Sequence, residues 1–581
     1  MVKNLKTVID CAMKREICDL VVKNVRIFNV FTGEIQSGEI AVTDGTIAAI
    51  GTGYRGKTEV DGKGRIALPG LIDSHIHVES SMLTPEEFAL AAVPHGTTGI
   101  VCDPHEIVNV CGIAGAEYMK EAFSRLSCEG VNPLDAYVQL PSSVPATPFE
   151  TSGAKIDGRE TEREIERDLF FGLGEVMNDP AVLAGEGDTL QKIAAAHLRQ
   201  KPVDGHAPAL FGDGLNAYAA AGICTDHECG SREECLEKIA KGLYVQLRNG
   251  SSAQNLTENA QAVNAYNYRR FLLCSDDRHA DDLIERGHMD EALSRLVGAG
   301  IPAAWAICMA TLNVAECYRL AHKGAIAPSY DADFILVDDL VQFRVFATFK
   351  GGVCTSEGGR ARFSAAEKYL PAAVKSSVKI KPVTAEQFRL ALRSNRARAI
   401  FVTPHAITTE EKTVDVTREN GDVRWEGGLN KLAVVERHFA SGNIGLALVY
   451  GYGLKGGAIG ISVSHDSHNL VVLGDDNGAM ARVCALIEQA GGGMAYAKTT
   501  GEEAVFPLEI AGLMSAKSAQ EVAQNTARLA KAAHEMGVKE EYEPFMTLSF
   551  LALPVIPALR LTDRGLFDVT KFRFTTTEAE T

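Results

Sequence analysis

His75 and His77 stand one residue apart in "LPGLIDSHIHVESS", Leu68 to Ser81. On a strand, successive side chains point to opposite faces, so these two imidazoles project together while Ile76 and Val78 face away. Two charged imidazoles side by side repel each other, whereas two neutral ones suit a shared cation. A histidine pair of this kind is equally compatible with exposure or ordinary hydrogen bonding, so its meaning depends on what the rest of the chain places nearby.

The surrounding segment, residues 67–330, alternates strand-like and helix-like runs. The strand candidates are "LIDSHIHV", "TTGIVCD", "DAYVQLP", "FGLGEV", "KPVDGH", "GICTDH", "LYVQLR" and "RFLLCSD". Eight strands, each followed by a segment such as "REECLEKIAKG", predict an α/β fold of the (β/α)8 TIM-barrel type, which typically takes about 250 residues. Residues 1–66 and 331–375 instead read as short strands and turns, with "TDGT" as a hairpin signal. Neither fragment alone can bury a core, so together they predict one small β-sandwich domain built from both flanks of the barrel. Residues 376–581 change character again. "TAEQFRLALR" and "SAQEVAQNTARLAKAAHEM" read as helices, and "LALVYGYG", "AIGISVSH" and "NLVVLGD" as strands, which predicts a C-terminal α+β domain.

Barrel enzymes carry their chemistry at the C-terminal ends of the strands. There the sequence puts His75 and His77 on the first strand, His105 and Glu106 after the second, and Glu175 on the fourth. His206 follows on the fifth, His227 on the sixth, and Asp276 and Asp277 on the eighth. Any one of these could be a turn histidine or an exposed carboxylate, but coincidence is a poor account of all of them. Nitrogen and oxygen ligands without thiolate suit Zn, Mn or Fe. A carboxylate among four histidines can bridge two ions, and two ions would hold a hydroxide at neutral pH. Two divalent metal ions are therefore expected on His75, His77, Glu175, His206, His227 and Asp276, because six ligands exceed what one four-coordinate ion needs.

The bulk properties narrow the class of partner. A chain of 581 residues implies two to four domains. A net charge of −17 argues against nucleic acid or an anionic membrane as the main partner. No apolar run approaches the ~18 residues of a membrane span, and the N-terminus has no signal-peptide pattern. The 13 cysteines are odd in number and form no CxxC pair, so a reducing cytoplasm without a disulfide framework is expected. A homo-oligomer, a dimer first, is the expected assembly around a small-molecule substrate.

The pattern of HxH on strand 1, an acid on strand 4, histidines on strands 5 and 6 and Asp on strand 8 resembles the amidohydrolase superfamily. Many binuclear members use a carboxylated lysine on strand 4, and "FGLGEVMN" has no lysine there. Glutamate in that place, with "GLIDSHIHVESSMLTPEEFA", "GTTGIVCDPHEI", "DHE" and "LCSDDRH", resembles the adenine deaminases. The resemblance implies conversion of adenine and water to hypoxanthine and ammonia, by attack of a metal-bound hydroxide on C6. On that reading Asp276 is the proton shuttle, and Glu106 donates to N1 or else orients His105. Glu79, His105 and Asp277 are substrate-binding or supporting candidates. Glu106 must then be protonated with substrate bound, and burial under the purine is expected to raise its pKa from about 4.3. A cytidine-deaminase-type site is disfavoured because the P-C-x-x-C partner of "HVE" is missing. The same residues could also serve a cyclic-amide hydrolase or a non-enzymatic metal scaffold. His465, Asp466 and His468 in "SVSHDSHNLVVLGDDN" read first as a solvated turn, then as an additional metal site or a lid.

Overall fold

In the computed structural model, residues 4–251, 254–365, 367–403, 408–423 and 428–579 are described. The expected domain limits at residues 1 and 581 lie outside them. The chain groups into two compact units. One comprises the chain up to Asp103, Met119–Ser142 and Gly158–Tyr369; the other comprises Pro104–Tyr118, Ser143–Asp157 and the chain from Leu370 on.

In the first unit, nine strands make one sheet drawn from both flanks of the chain. They are β1 (Cys18–Asn29), β2 (Glu34–Thr43), β3 (Thr46–Gly51), β4 (Gly56–Asp61) and β5 (Ile66–Pro69), with four later strands, Phe334–Val337, Val345–Lys350, Val353–Glu357 and Arg360–Ala361. The join is antiparallel pairing of β5 with Phe334–Val337. Val22 and Ile27 of β1, Ile40 of β2, and Phe334, Leu336 and Phe349 bury a common core. Asp44 and Gly45, both with positive φ, make the tight turn between β2 and β3. Cys11 and Cys18, 5.4 Å apart at Cα, form a disulfide that the cysteine pattern did not lead us to expect. The other cysteines among the described residues are free thiols, and most are buried.

Each of the eight expected central strands forms: β6 (Leu71–Ile76), β7 (Thr97–Cys102), β8 (Asp135–Val138), β9 (Leu173–Val176), β10 (Val203–Gly205), β11 (Thr225–Asp226), β12 (Tyr244–Arg248) and β13 (Phe271–Cys274). They pair in parallel as β6–β7–β8, β9–β10 and β11–β12–β13. Parallel bridges link Leu140 to Leu173 and Ile76 to Asp276, and the Cys224 N–H donates to the Val203 carbonyl. Between the strands lies a polar layer from every second strand. The Gln246 amide donates to the Ser74 carbonyl at 3.0 Å and the Gln139 amide to Asp204 at 2.7 Å. The Tyr318 hydroxyl sits 2.9 Å from both the Ser74 carbonyl and Asp204, tying the two pairs together.

The second unit is built on an eight-stranded sheet. Strands Gly457–Ile461 and Leu470–Gly474 pair antiparallel near its middle, and the helix Asn477–Ala490 packs Met480, Val483 and Ile487 onto it. "SAQEVAQNTARLAKAAHEM" is a helix over Ala519–Glu535, capped by Ser518 and Glu521 reciprocally. "TAEQFRLALR" makes only the single turn Ala385–Phe388. Phe388, in that turn, enters one apolar core, while Leu390 and Leu392 beyond it pack against another. The segment 143–157 is anchored in this unit: the Thr151 N–H and hydroxyl donate to Asp563 at 2.9 and 2.7 Å.

Candidate metal centre and proton-donor cluster

In the first unit the six expected ligands converge. His75, His77, Glu175, His227 and Asp276 are buried, and His206 is more open. Asp73, at the middle of β6, sets two of the ligand-bearing segments together. Its carboxylate accepts the backbone N–H groups of His75 and Ser275 at 3.2 and 3.1 Å, which places Asp276 beside the HxH pair. The Asp276 N–H then donates to the His75 carbonyl at 2.9 Å, with Asp276 itself at φ 58°. Asp103 does the same for Glu175, accepting its backbone N–H at 2.9 Å. A Cβ on Gly174 would lie 2.2 Å from that Asp103 oxygen, so only glycine lets the two come so close.

The side chains divide around Glu175. Its Oε1 lies 3.2 Å from His77 Nε2 and 3.7 Å from His75 Nε2. Its Oε2 lies 2.7 Å from His206 Nδ1 and 3.3 Å from His227 Nε2. Asp276 Oδ1 closes the first pair, 3.1 Å from His77 Nε2. The Nε2 atoms of His75 and His77 are themselves 3.2 Å apart. The His77 Nδ1–H donates to the Asp103 carbonyl at 2.9 Å, which fixes the tautomer and leaves Nε2 with a lone pair for a cation. Imidazole nitrogens and carboxylate oxygens converging in this way fit divalent metal, and the sets His75–His77–Glu175 and Glu175–His206–His227 each bring ligand atoms within 4.8 Å.

Two charged groups that the sequence reading passed over complete the centre. Arg248, at the end of β12, donates to Asp276 Oδ2 at 2.7 Å, and Arg248 also pairs with Glu228. Asp276 therefore keeps Oδ1 for the metal side while Oδ2 is held. Burial raises the Asp276 pKa, but Arg248 and the neighbouring histidines outweigh it and hold the carboxyl well below its ordinary value. The signal for Arg248 lay in "LYVQLR", whose last residue ends the seventh strand, and Glu228 follows His227 directly in "DHE". Of the supporting candidates, Glu79 is buried in the turn Val78–Ser81, and Asp277 accepts the Ser80 hydroxyl.

Protons compete with metal here. Burial lowers the His227 pKa, but Glu175 more than offsets it and pushes it up to about 9. Below that pH the metal-free His227 carries a proton that a cation must displace, so affinity should rise as pH climbs towards 9. Adding Mn²⁺ to metal-free protein in weak buffer near about pH 8 should acidify the solution. Binding without proton release would contradict this.

His105 and Glu106 belong to the second unit, in the helix His105–Cys111. The turn Ser464–His468 belongs there too, and it is not solvated as first read, since His465 and His468 are buried. His465 Nδ1 lies 2.6 Å from Glu106 Oε1, and His468 Nε2 meets Oε2. His105 Nε2 is 3.5 Å from Oε1. Burial raises the Glu106 pKa, as the sequence reading expected, but the His465, His468 and His105 imidazoles reverse the balance and hold it well below the ordinary value. The sequence reading considered burial and missed His465 and His468, 359 and 362 residues away.

Residues 66–355 match the amidohydrolase family, and residues 406–573 match the adenine deaminase C-terminal domain. An adenine deaminase of Clostridium acetobutylicum is 45% identical over 96% of this chain and 97% of its own. A second, from Desulfotalea psychrophila, is 45% identical over 99% of both chains. The chain belongs to the adenine deaminase family. The likeness is not confined to one part: an adenine deaminase of Geobacillus kaustophilus is 41% identical over the whole of both chains. The metal-ligand segments and the turn bearing His465 and His468 both fall inside that full-length match. Among the described residues no helix is long and apolar enough to cross a membrane.

Proposed function

We propose that this protein hydrolyses adenine to hypoxanthine and ammonia in purine salvage. The observation that carries the reading is the likeness to adenine deaminases along the whole chain, through both the metal-ligand segments and the C-terminal region. Two divalent ions, Mn or Fe before Zn, would be held by His75, His77, Glu175, His206, His227 and Asp276, and would supply a water acidified enough to attack C6 at neutral pH. Asp276, its outer oxygen fixed by Arg248, takes the attacking water's remaining proton and delivers it to the departing amine. Glu106 gives a proton to N1 as negative charge develops there, and His105, Glu79 and Asp277 support the substrate or its neighbours. The water consumed brings two protons, of which one ends on N1 and the other on ammonia. Glu106 therefore regains, each turnover, the proton it gives.

The same reading takes β6–β13 as one closed (β/α)8 barrel, which the polar layer from alternate strands supports. It takes the nine-stranded sheet as folded over its common core into a sandwich. Residues 1–66 with 331–375, 67–330 and 376–581 are then the domains, and a cytoplasmic homodimer is the working form. The direct test is ammonia release by Mn²⁺-loaded protein across a panel of purines and cyclic amides. Adenine should be the best substrate. Ring opening of a cyclic amide with no ammonia from adenine would overturn the reading.

A further inference from the structure

Glu106 is gripped from a distant part of the chain, and the grip has a chemical sense. The hairpin turn between strands Gly457–Ile461 and Leu470–Gly474 brings His465 and His468 to opposite oxygens of one carboxylate. His468 is fixed in its tautomer. Its Nδ1 accepts the backbone N–H of Ser464 at 3.0 Å, so its proton is on Nε2 and is donated to Glu106 Oε2. Burial holds the His468 pKa down to about 4, so this ring is neutral near pH 7. Oε2 is therefore an acceptor and carries no proton. The other oxygen differs. His465 Nδ1 and Glu106 Oε1 face each other at 2.6 Å, which requires one proton between them, on the carboxyl or on the ring. The ring of His465 is stacked on Phe550 at 4.7 Å and 15°, which fixes its orientation.

We propose that His465 and His468 are positioning residues for the Glu106 acid: His468 locks the carboxylate by donating to one oxygen, and His465 shares the transferable proton with the other. The C-terminal domain thus supplies half of the proton-donor machinery. When Glu106 gives its proton to the purine nitrogen, the pair is left as carboxylate and neutral imidazole. One of the two protons of the next water refills it, so no other donor is consumed. This rests on the reading of Glu106 as the acid. A rival use exists, since His105, Glu106 and Asp466 bring ligand atoms within 4.8 Å of one another. Against a third cation stands the engagement of both Glu106 oxygens by imidazole nitrogens.

The test uses the metal-loaded full chain and a set of amide replacements. A glutamine amide can stand where His468 Nε2 stands, and an asparagine amide where His465 Nδ1 stands; both donate, but neither exchanges a proton near neutrality. His468→Leu should lower kcat about 10–100-fold with KM little changed, the size expected for loss of a group that orients another. His468→Gln should restore most of it. At His465, Leu and Asn should both lower kcat by that factor, because a donor without a mobile proton is not enough. In a Glu106→Gln background, neither His465 change should lower kcat further. If a leucine variant fails to fold, the two amide variants alone decide. His465→Asn with wild-type kcat overturns the shared proton, and His468→Gln as slow as a deletion overturns the lock. A third metal equivalent on the wild-type chain that Asp466→Asn loses would replace the proposal with a cation site. Should Glu106→Gln itself keep wild-type kcat, it is the acid reading that falls.

Discussion

Glu106→Gln is expected to lower kcat by about 10²–10⁴-fold, the usual loss for an acid catalyst, with the full metal complement still bound. Glutamine keeps the shape and can still meet His465 and His468, but it has no proton to give. The metal should stay because the six proposed ligands do not include Glu106, and because Asp73, Asp103 and Arg248 hold Asp276, His75, His77 and Glu175 in place without it. The loss should appear in kcat rather than KM, since proton transfer to N1 matters only as the ring becomes tetrahedral. Steady-state kinetics with metal analysis of the same sample decides it. Near-wild-type kcat would remove Glu106 from the chemistry, and metal loss would make it a ligand or the support of one.

Removing the metal should abolish deamination, and recovery should need two equivalents. The geometry behind this is the division at Glu175, whose one oxygen faces His75 and His77 and whose other faces His206 and His227. One ion on either pair would leave the opposite carboxylate oxygen and two histidines without their cation. A single ion also lowers the pKa of bound water less than two do, so a half-loaded centre should be poorly active at neutral pH.

The candidate metal cluster was legible because strand-end positions can be read from short apolar runs, and each proposed ligand lies within a residue or two of one. Even β11, only Thr225–Asp226, announced itself through "GICTDH". What the sequence hid were relations between distant segments. Arg248 looked like an ordinary strand-end cation until Asp276 was seen against it. His465 and His468 read as a solvated turn because hydrogen bonding to Glu106 leaves no periodic trace. For the same reason the groups that lower the Glu106 pKa in the substrate-free protein were missed, since they lie on another element. "TAEQFRLALR" failed in a different way: its apolar residues fit a helix locally, but Phe388 goes to one core and Leu390 and Leu392 to another, and only one turn forms.

The most direct single measurement is titration of chelator-stripped protein with Mn²⁺ while ammonia release from adenine is followed. Activity should be absent at the start, stay low through the first equivalent, and reach its plateau at two equivalents per chain. A plateau at one equivalent, or ammonia release from adenine that does not depend on metal, would contradict a binuclear centre bridged by Glu175.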